Sequence, residues 1–183
     1  MKLPKLAPDL RLFGAVSNEM LTEFFRQQQE APKDGPLVLE LSSNGGDADT
    51  GRRIAQELRL WQEKEGREVW FVGKTYVFSA GVTIMSAIPR ERRYLTQDCE
   101  VLIHERKLTR DVHVEGSLRG CRATVMDLLA EIESGQRLER EGFTRLVEGT
   151  PLAVEDIEKR VFEKDWYLPA REALAVGLVA GVI

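Results

Sequence analysis

Ser79, in the segment YVFSAGVTIMSAI, and His104, at the end of the short apolar run VLIH, lie 25 residues apart. Together they suggest nucleophilic acyl transfer. Serine attacks a carbonyl usefully only when a base takes its proton, so a neutral imidazole must reach its Oγ. The imidazole in turn needs a carboxylate on its second nitrogen to hold the tautomer. The tetrahedral oxyanion needs two N–H donors, and loss of one costs ~10²–10³ in rate. Asn44-Gly45-Gly46 closes the apolar run LVLEL with a polar glycine turn that exposes backbone N–H without side-chain obstruction. A serine at a helix start also puts the following amide, that of Ala80, beside the developing charge.

Singly, each residue has a plainer reading. Ser79 is also a good helix cap, and His104 a hydrogen-bonded strand-end histidine. His113, in a charged segment, reads as exposed. The residues alone leave the third member open among Asp127, Asp156, Glu163 and Asp165.

The elements that would position this set follow from periodicity. Leu10–Val16 predicts a strand, with Ser17 as N-cap of a helix running to about Glu30 whose apolar residues are Met20, Leu21, Phe24 and Phe25. Leu37–Leu41 is almost wholly apolar, as in a strand covered on both faces. Ile54, Ala55, Leu58 and Trp61 mark a helix face ending near Gly66. Val69–Val72 predicts a third strand, and a small-residue helix runs from about Ser79 to Ile88. Two short strands follow, at Arg93–Leu95 and Val101–Ile103. Alternating strands and helices argue for an α/β fold with a mainly parallel sheet, whose sites gather at the carboxyl ends of strands.

Beyond His104 a charged stretch holds one brief alternation, at Val112 and Val114, that predicts an exposed strand. Residues 118–147 carry an apolar stripe expected to form one helix, of about 45 Å at ~1.5 Å per residue. Such a helix must project and find a partner chain. A helix at about Val154–Glu163, a short segment at Trp166–Leu168, a helix within PAREALAVG and a last strand at Leu178–Ile183 complete the chain. A single domain over residues 1–183 is expected.

Acids outnumber bases 30 to 26, for a net charge of −4, which gives no general attraction to nucleic acid or anionic membranes. The cluster Arg90, Arg92 and Arg93, interrupted by Glu91, reads as a solvated turn. Cys99 and Cys121 have neither metal-ligand nor redox-motif spacing and read as buried thiols of a reducing cytoplasm. Neither metal nor cofactor is expected. The N-terminal residues lack the apolar core of a signal peptide, and no apolar run reaches the ~18 residues of a membrane span.

These landmarks resemble one family. SSNGGDADTG, FSAGVTIMSA, YLTQDCEVLIHE and the tail DWYLPAREALAVGLVAGVI are similar, in that order, to the proteolytic subunit of the Clp protease and its relatives in the ClpP/crotonase superfamily. The family carries a Ser-Pro-Gly-Gly turn, an Ala-Ala-Ser-Met-Gly nucleophile segment, Met-Ile-His at the base, and a closing pattern that begins with the triad aspartate. The resemblance runs from about Leu10 to the C-terminus. It implies a βαβ spiral with a projecting handle helix, and a serine peptidase acting on peptides or unfolded polypeptide inside a self-assembled oligomer. Ser79 becomes the nucleophile, His104 the base, Asp165 the orienting acid, and Gly46 and Ala80 the oxyanion donors, with Asn44 and Gly45 supporting the turn. It also implies assembly of like subunits through the 118–147 helix.

There are departures. Asn44 stands in place of the family's proline. Val77 and Phe78 replace two alanines, adding bulk that would narrow the pocket or mark a subunit no longer catalytic. The segment between His104 and Asp165 is longer than the family's. The short stretch before the first strand argues against docking of an AAA+ unfoldase. Other readings are a catalytically degenerate subunit serving as scaffold or partner, a crotonase-type acyl-CoA enzyme, and a Ser-Lys peptidase using Lys74.

Overall fold

A computed structural model describes residues 3–183. Strand β1 (Leu10–Val16), helix α1 (Asn18–Glu30), β2 (Leu37–Gly46), α2 (Ala48–Glu65) and β3 (Val69–Phe78) form two parallel crossovers. Ser17 caps α1, its Oγ accepting from the Met20 N–H, and Gly66 closes α2 in the left-handed region at φ 64°. Both β2 and β3 run five or more residues past their apolar stretches. Pairing decides this: Val16 lies beside Gly46, and Ser43 beside Val77, so the ladder continues through polar and glycine residues. A register shift between Leu41 and Ser43 re-aims β2 where it reaches the site.

The distal half of the fold branches from β3. Phe71–Gly73 pair with β4 (Arg93–Leu95), whereas Tyr76–Phe78 pair with β5 (Glu100–Ile103). Helix α3 (Ala80–Ser86) leaves the end of β3, and β7 (Gly181–Val182) adds in parallel to β4. Only β6 (Trp166–Pro169) runs antiparallel, against β5. Leu10, Phe24, Leu39, Leu41, Ile54, Leu58, Phe71 and Ile84 are fully buried between the sheet and α1–α3. Truncating any of the leucines among them to alanine costs ~2–5 kcal/mol. Val38, Trp70, Val72 and Tyr94 form a smaller cluster of their own.

Helix α4 (Leu118–Val147) is unbroken through Gly135. Only Phe143, Leu146 and Val147 at its carboxyl end are buried, while Leu118, Val125, Met126, Leu129 and Ile132 remain exposed. The helix therefore projects, anchored by one end. Helices α5 (Val154–Val161) and α6 (Ala170–Ala175) return the chain to the sheet.

Three expectations change. Residues 104–117 form no strand, so Val112 and Val114 lie exposed in irregular chain. Cys99 is buried, burial pushing its thiol up to about 12, but Cys121 sits half-buried on α4. Arg93 is no solvated turn residue, being 1% exposed. Its guanidinium donates to the carbonyls of Ile88 (2.6 Å), Leu146 (2.8 Å), Leu178 (3.4 Å) and Ser86 (3.3 Å). Those oxygens come from the ends of α3 and α4 and from the tail, where a cation complements the helix dipole. Desolvation pushes Arg93 down only to about 10, so it stays charged at neutral pH.

Candidate active site

Ser79 joins β3 to α3 and has φ 54° and ψ −115°, a region that residues with a Cβ rarely occupy. Strain of this kind costs ~1–3 kcal/mol and persists only where the surroundings enforce it. Here the Ser79 N–H is fixed to the Leu102 carbonyl (2.9 Å), and the Ser79 carbonyl accepts from Val82 (2.8 Å). Its side chain makes no capping bond to α3. The plain cap reading therefore fails, and the hydroxyl is left for other use at a sharp strand-to-helix turn.

The glycine turn packs directly against it. A Cβ on Gly45 (φ +89°) would sit 2.7 Å from the Ser79 Cβ and 3.0 Å from the Phe78 carbonyl oxygen. A Cβ on Gly46 (φ +143°) would sit 2.5 Å from the Val16 carbonyl oxygen. The Gly45 N–H turns back to the Ser43 Oγ (3.2 Å), and Asn44 is exposed at the turn. Asp47 closes the turn as N-cap of α2, its carboxylate accepting from Thr50, which holds its pKa below the ordinary value.

Ser79, Ala80, Gly46 and His104 all line one cavity of about 370 Å³. Val82, Leu138, Phe143 and Leu146 supply its apolar wall, so α4 closes one side of it. Val77 and Phe78 do not line it. Val77 is buried in the core, and Phe78 packs on Tyr76 (5.6 Å) and edge-on to Tyr167 (5.9 Å). The bulk expected beside the nucleophile points elsewhere.

The remaining residues are placed less directly. The His104 Nδ1 meets the carbonyl oxygen of Glu105, and Asp165 pairs with Lys107 at 3.3 Å, outside the cavity lining. The backbone sets both at the same end of one strand pair. β5 and β6 pair Leu102 with Tyr167 and Ile103 with Trp166, so His104 and Asp165 flank the last pair of that ladder.

The segment after His104 is tied down by charge. The Arg106 N–H donates to the Glu139 carboxylate on α4, the Arg106 guanidinium reaches Asp49 (3.1 Å), and Glu105 accepts from the Glu163 N–H (2.9 Å). Sequence reasoning missed Lys107, Arg106 and Glu139; the charged run after His104 was the only signal for the first two, and Glu139 on α4 had none. Lys74 lies outside the cavity and is held by Glu40 at 2.6 Å, which removes it as a partner for Ser79. Among the described residues no cluster of side chains suited to a metal ion is present, and no helix is long and apolar enough to cross a membrane.

The chain is similar to known proteins over most of its length. The profile of the family described as Clp protease matches residues 12–183. The ATP-dependent Clp protease proteolytic subunit 3 of Rhizobium etli is 27% identical over 94% of this chain and 81% of its own length. Proteolytic subunit 2 of Pseudomonas aeruginosa is 27% identical over 93% of this chain and 78% of its own. A solved structure of a ClpP1 mutant from Listeria monocytogenes superposes with a TM-score of 0.77 at 21% identity, covering 95% of this chain and 90% of that one. At that identity the superposition speaks to the fold alone.

Proposed function

Because the chain belongs to the Clp protease family, a family of serine peptidases, we propose that it is an endopeptidase that hydrolyses peptides or unfolded polypeptide through Ser79, His104 and Asp165. The observation that carries this reading is the enforced φ of 54° at Ser79, on the wall of the cavity that also holds His104, Gly46 and Ala80. Ser79 attacks the scissile carbonyl as His104 takes its proton. The oxyanion is received by the N–H groups of Gly46 and Ala80, the latter an unpaired donor of the first turn of α3. His104 then protonates the leaving amine, and water releases the acyl group. Catalysis requires Asp165 to exchange Lys107 for the His104 Nδ1, a rearrangement at the shared end of β5 and β6.

On this reading the chain is one domain working in the cytoplasm, assembled from like subunits through the exposed apolar stripe of α4. A fluorophosphonate probe is expected to label Ser79, and Ser79→Ala should abolish both labelling and peptidase turnover. A folded oligomer that neither reacts with the probe nor cleaves peptides would sink the proposal. It would favour a second reading, a non-catalytic partner subunit, which the pairing of Asp165 with Lys107 supports.

A further inference from the structure

Arg59 and Arg145 come near each other between α2 and α4, and neither forms a salt bridge among the described residues. Arg52 and Arg59 lie seven residues apart, two turns along one face of α2, and Arg145 projects from α4. All three line a groove of about 460 Å³. That groove shares Arg52, Thr83, Leu138 and Gly142 with the cavity at Ser79, so the two adjoin.

Arg59 is half-buried, and neither it nor Arg145 forms a salt bridge or side-chain hydrogen bond among the described residues. The Arg59 guanidinium is held below the ordinary arginine value, first by desolvation and then by Arg145, with Glu63 opposing and Arg52 adding to the effect. Glu63 and Glu141 line the groove too, but neither forms an ion pair with these arginines. Asp49 is drawn off by Arg106 (3.1 Å) and Arg52 (3.5 Å). Like charges brought together in a half-desolvated groove repel, and an anion between them relieves the cost. Two guanidinium forks match a carboxylate better than any neutral group.

We propose that Arg59 and Arg145 form a subsite for a carboxylate carried by the substrate peptide, reached from the Ser79 cavity past Thr83 and Gly142. The proposal rests on the reading of Ser79 as the nucleophile. Either an acidic side chain or the free C-terminus could supply the carboxylate.

The test uses internally quenched peptides that differ only in Glu against Gln at each position flanking the cleaved bond, each with a free or an amidated C-terminus. The expected result is a preference of about tenfold in kcat/KM for the charged member of one pair, as for a charge-assisted hydrogen bond, shrinking as salt is raised. Dependence on the side chain or on amidation identifies the source. The ratio should fall toward one in both Arg59→Gln and Arg145→Gln; Arg145 is exposed, so its replacement leaves packing intact. Equal rates on charged and neutral peptides would overturn the subsite, as would a preference unchanged in both variants. A smaller oligomer in the variants with the preference intact would also overturn it, and would make the groove a contact between copies. Absence of all cleavage together with absence of probe labelling would remove the peptidase reading and the subsite with it, whereas cleavage without a charge preference removes only the subsite.

Discussion

Ser79 and His104 share a cavity but are held by different means. Ser79 stands on backbone that is hydrogen-bonded on both sides, packed against Gly45 and directly after β3, whose penultimate residue Val77 is fully buried. His104 opens an irregular segment whose restraints are ionic: Arg106 to Asp49, Lys107 to Asp165, and the Arg106 amide to Glu139. Ser79 is thus built in by steric exclusion, and His104 is positioned by charges that solvent reaches. The first arrangement resists small changes in conditions, while the second responds to salt, pH and whatever touches α4.

The largest effect should come from breaking the steric side. Gly45→Ala forces a methyl to 2.7 Å from the Ser79 Cβ at a φ of +89°, so the turn or Ser79 must move. A displacement of about 1 Å at a reacting centre costs ~10²-fold in rate, and backbone strain adds ~1–3 kcal/mol of destabilisation. Probe-labelling rate and thermal midpoint, measured together, check this. An alanine variant that labels at the original rate would mean the turn is as adjustable as the histidine segment.

A middle-sized effect tests the ionic side. Lys107 and Asp165 are substantially exposed, with side-chain exposures of 68% and 37%. Such pairs are worth ~0.2–1 kcal/mol. Lys107→Met should therefore release Asp165 toward His104 and raise kcat by at most about fivefold, most visibly at low ionic strength. A fall in kcat would show that Lys107 helps hold the productive arrangement.

The smallest effect concerns Glu139. Burial, as the leading cause, raises its pKa above 4.5, against the Arg106 N–H, which lowers it. The folded state therefore binds this proton more tightly than the unfolded one. The stabilisation is full below the ordinary carboxylate value and is lost as pH rises through the raised one. Glu139→Gln should flatten that dependence, so urea midpoints of variant and parent should diverge as pH increases from about 4 to 7. Parallel curves would place the sensitivity elsewhere.

Much of the frame was legible in the residues because local patterns and tertiary packing agree there. The apolar spacing of α1 and α2, and the stripe of α4 with its far end unpartnered, read directly from side-chain type. What escaped depends on partners distant in sequence. The burial of Arg93 could not be inferred beside Arg90 and Arg92, since its acceptors lie at residues 86, 88, 146 and 178. Asp165 could be chosen over Asp127 or Asp156 only by resemblance; the β5–β6 ladder puts it and His104 at the same end of one strand pair. Its capture by Lys107 is a choice among exposed charges of similar energy, which composition does not resolve.

Arg93 has a mechanical consequence. It grips the Leu146 carbonyl at the inner end of α4 and the Ser86 and Ile88 carbonyls at the foot of the segment that starts with Ser79. It works as a fulcrum, with α4 as a lever whose outer end stands ~40 Å away. A swing of ~5° about that point carries the outer end through ~4 Å at that length, yet hardly shifts the atoms at the pivot. Contacts made at the tip can be loose, varied or shared among neighbours without dragging the serine with them.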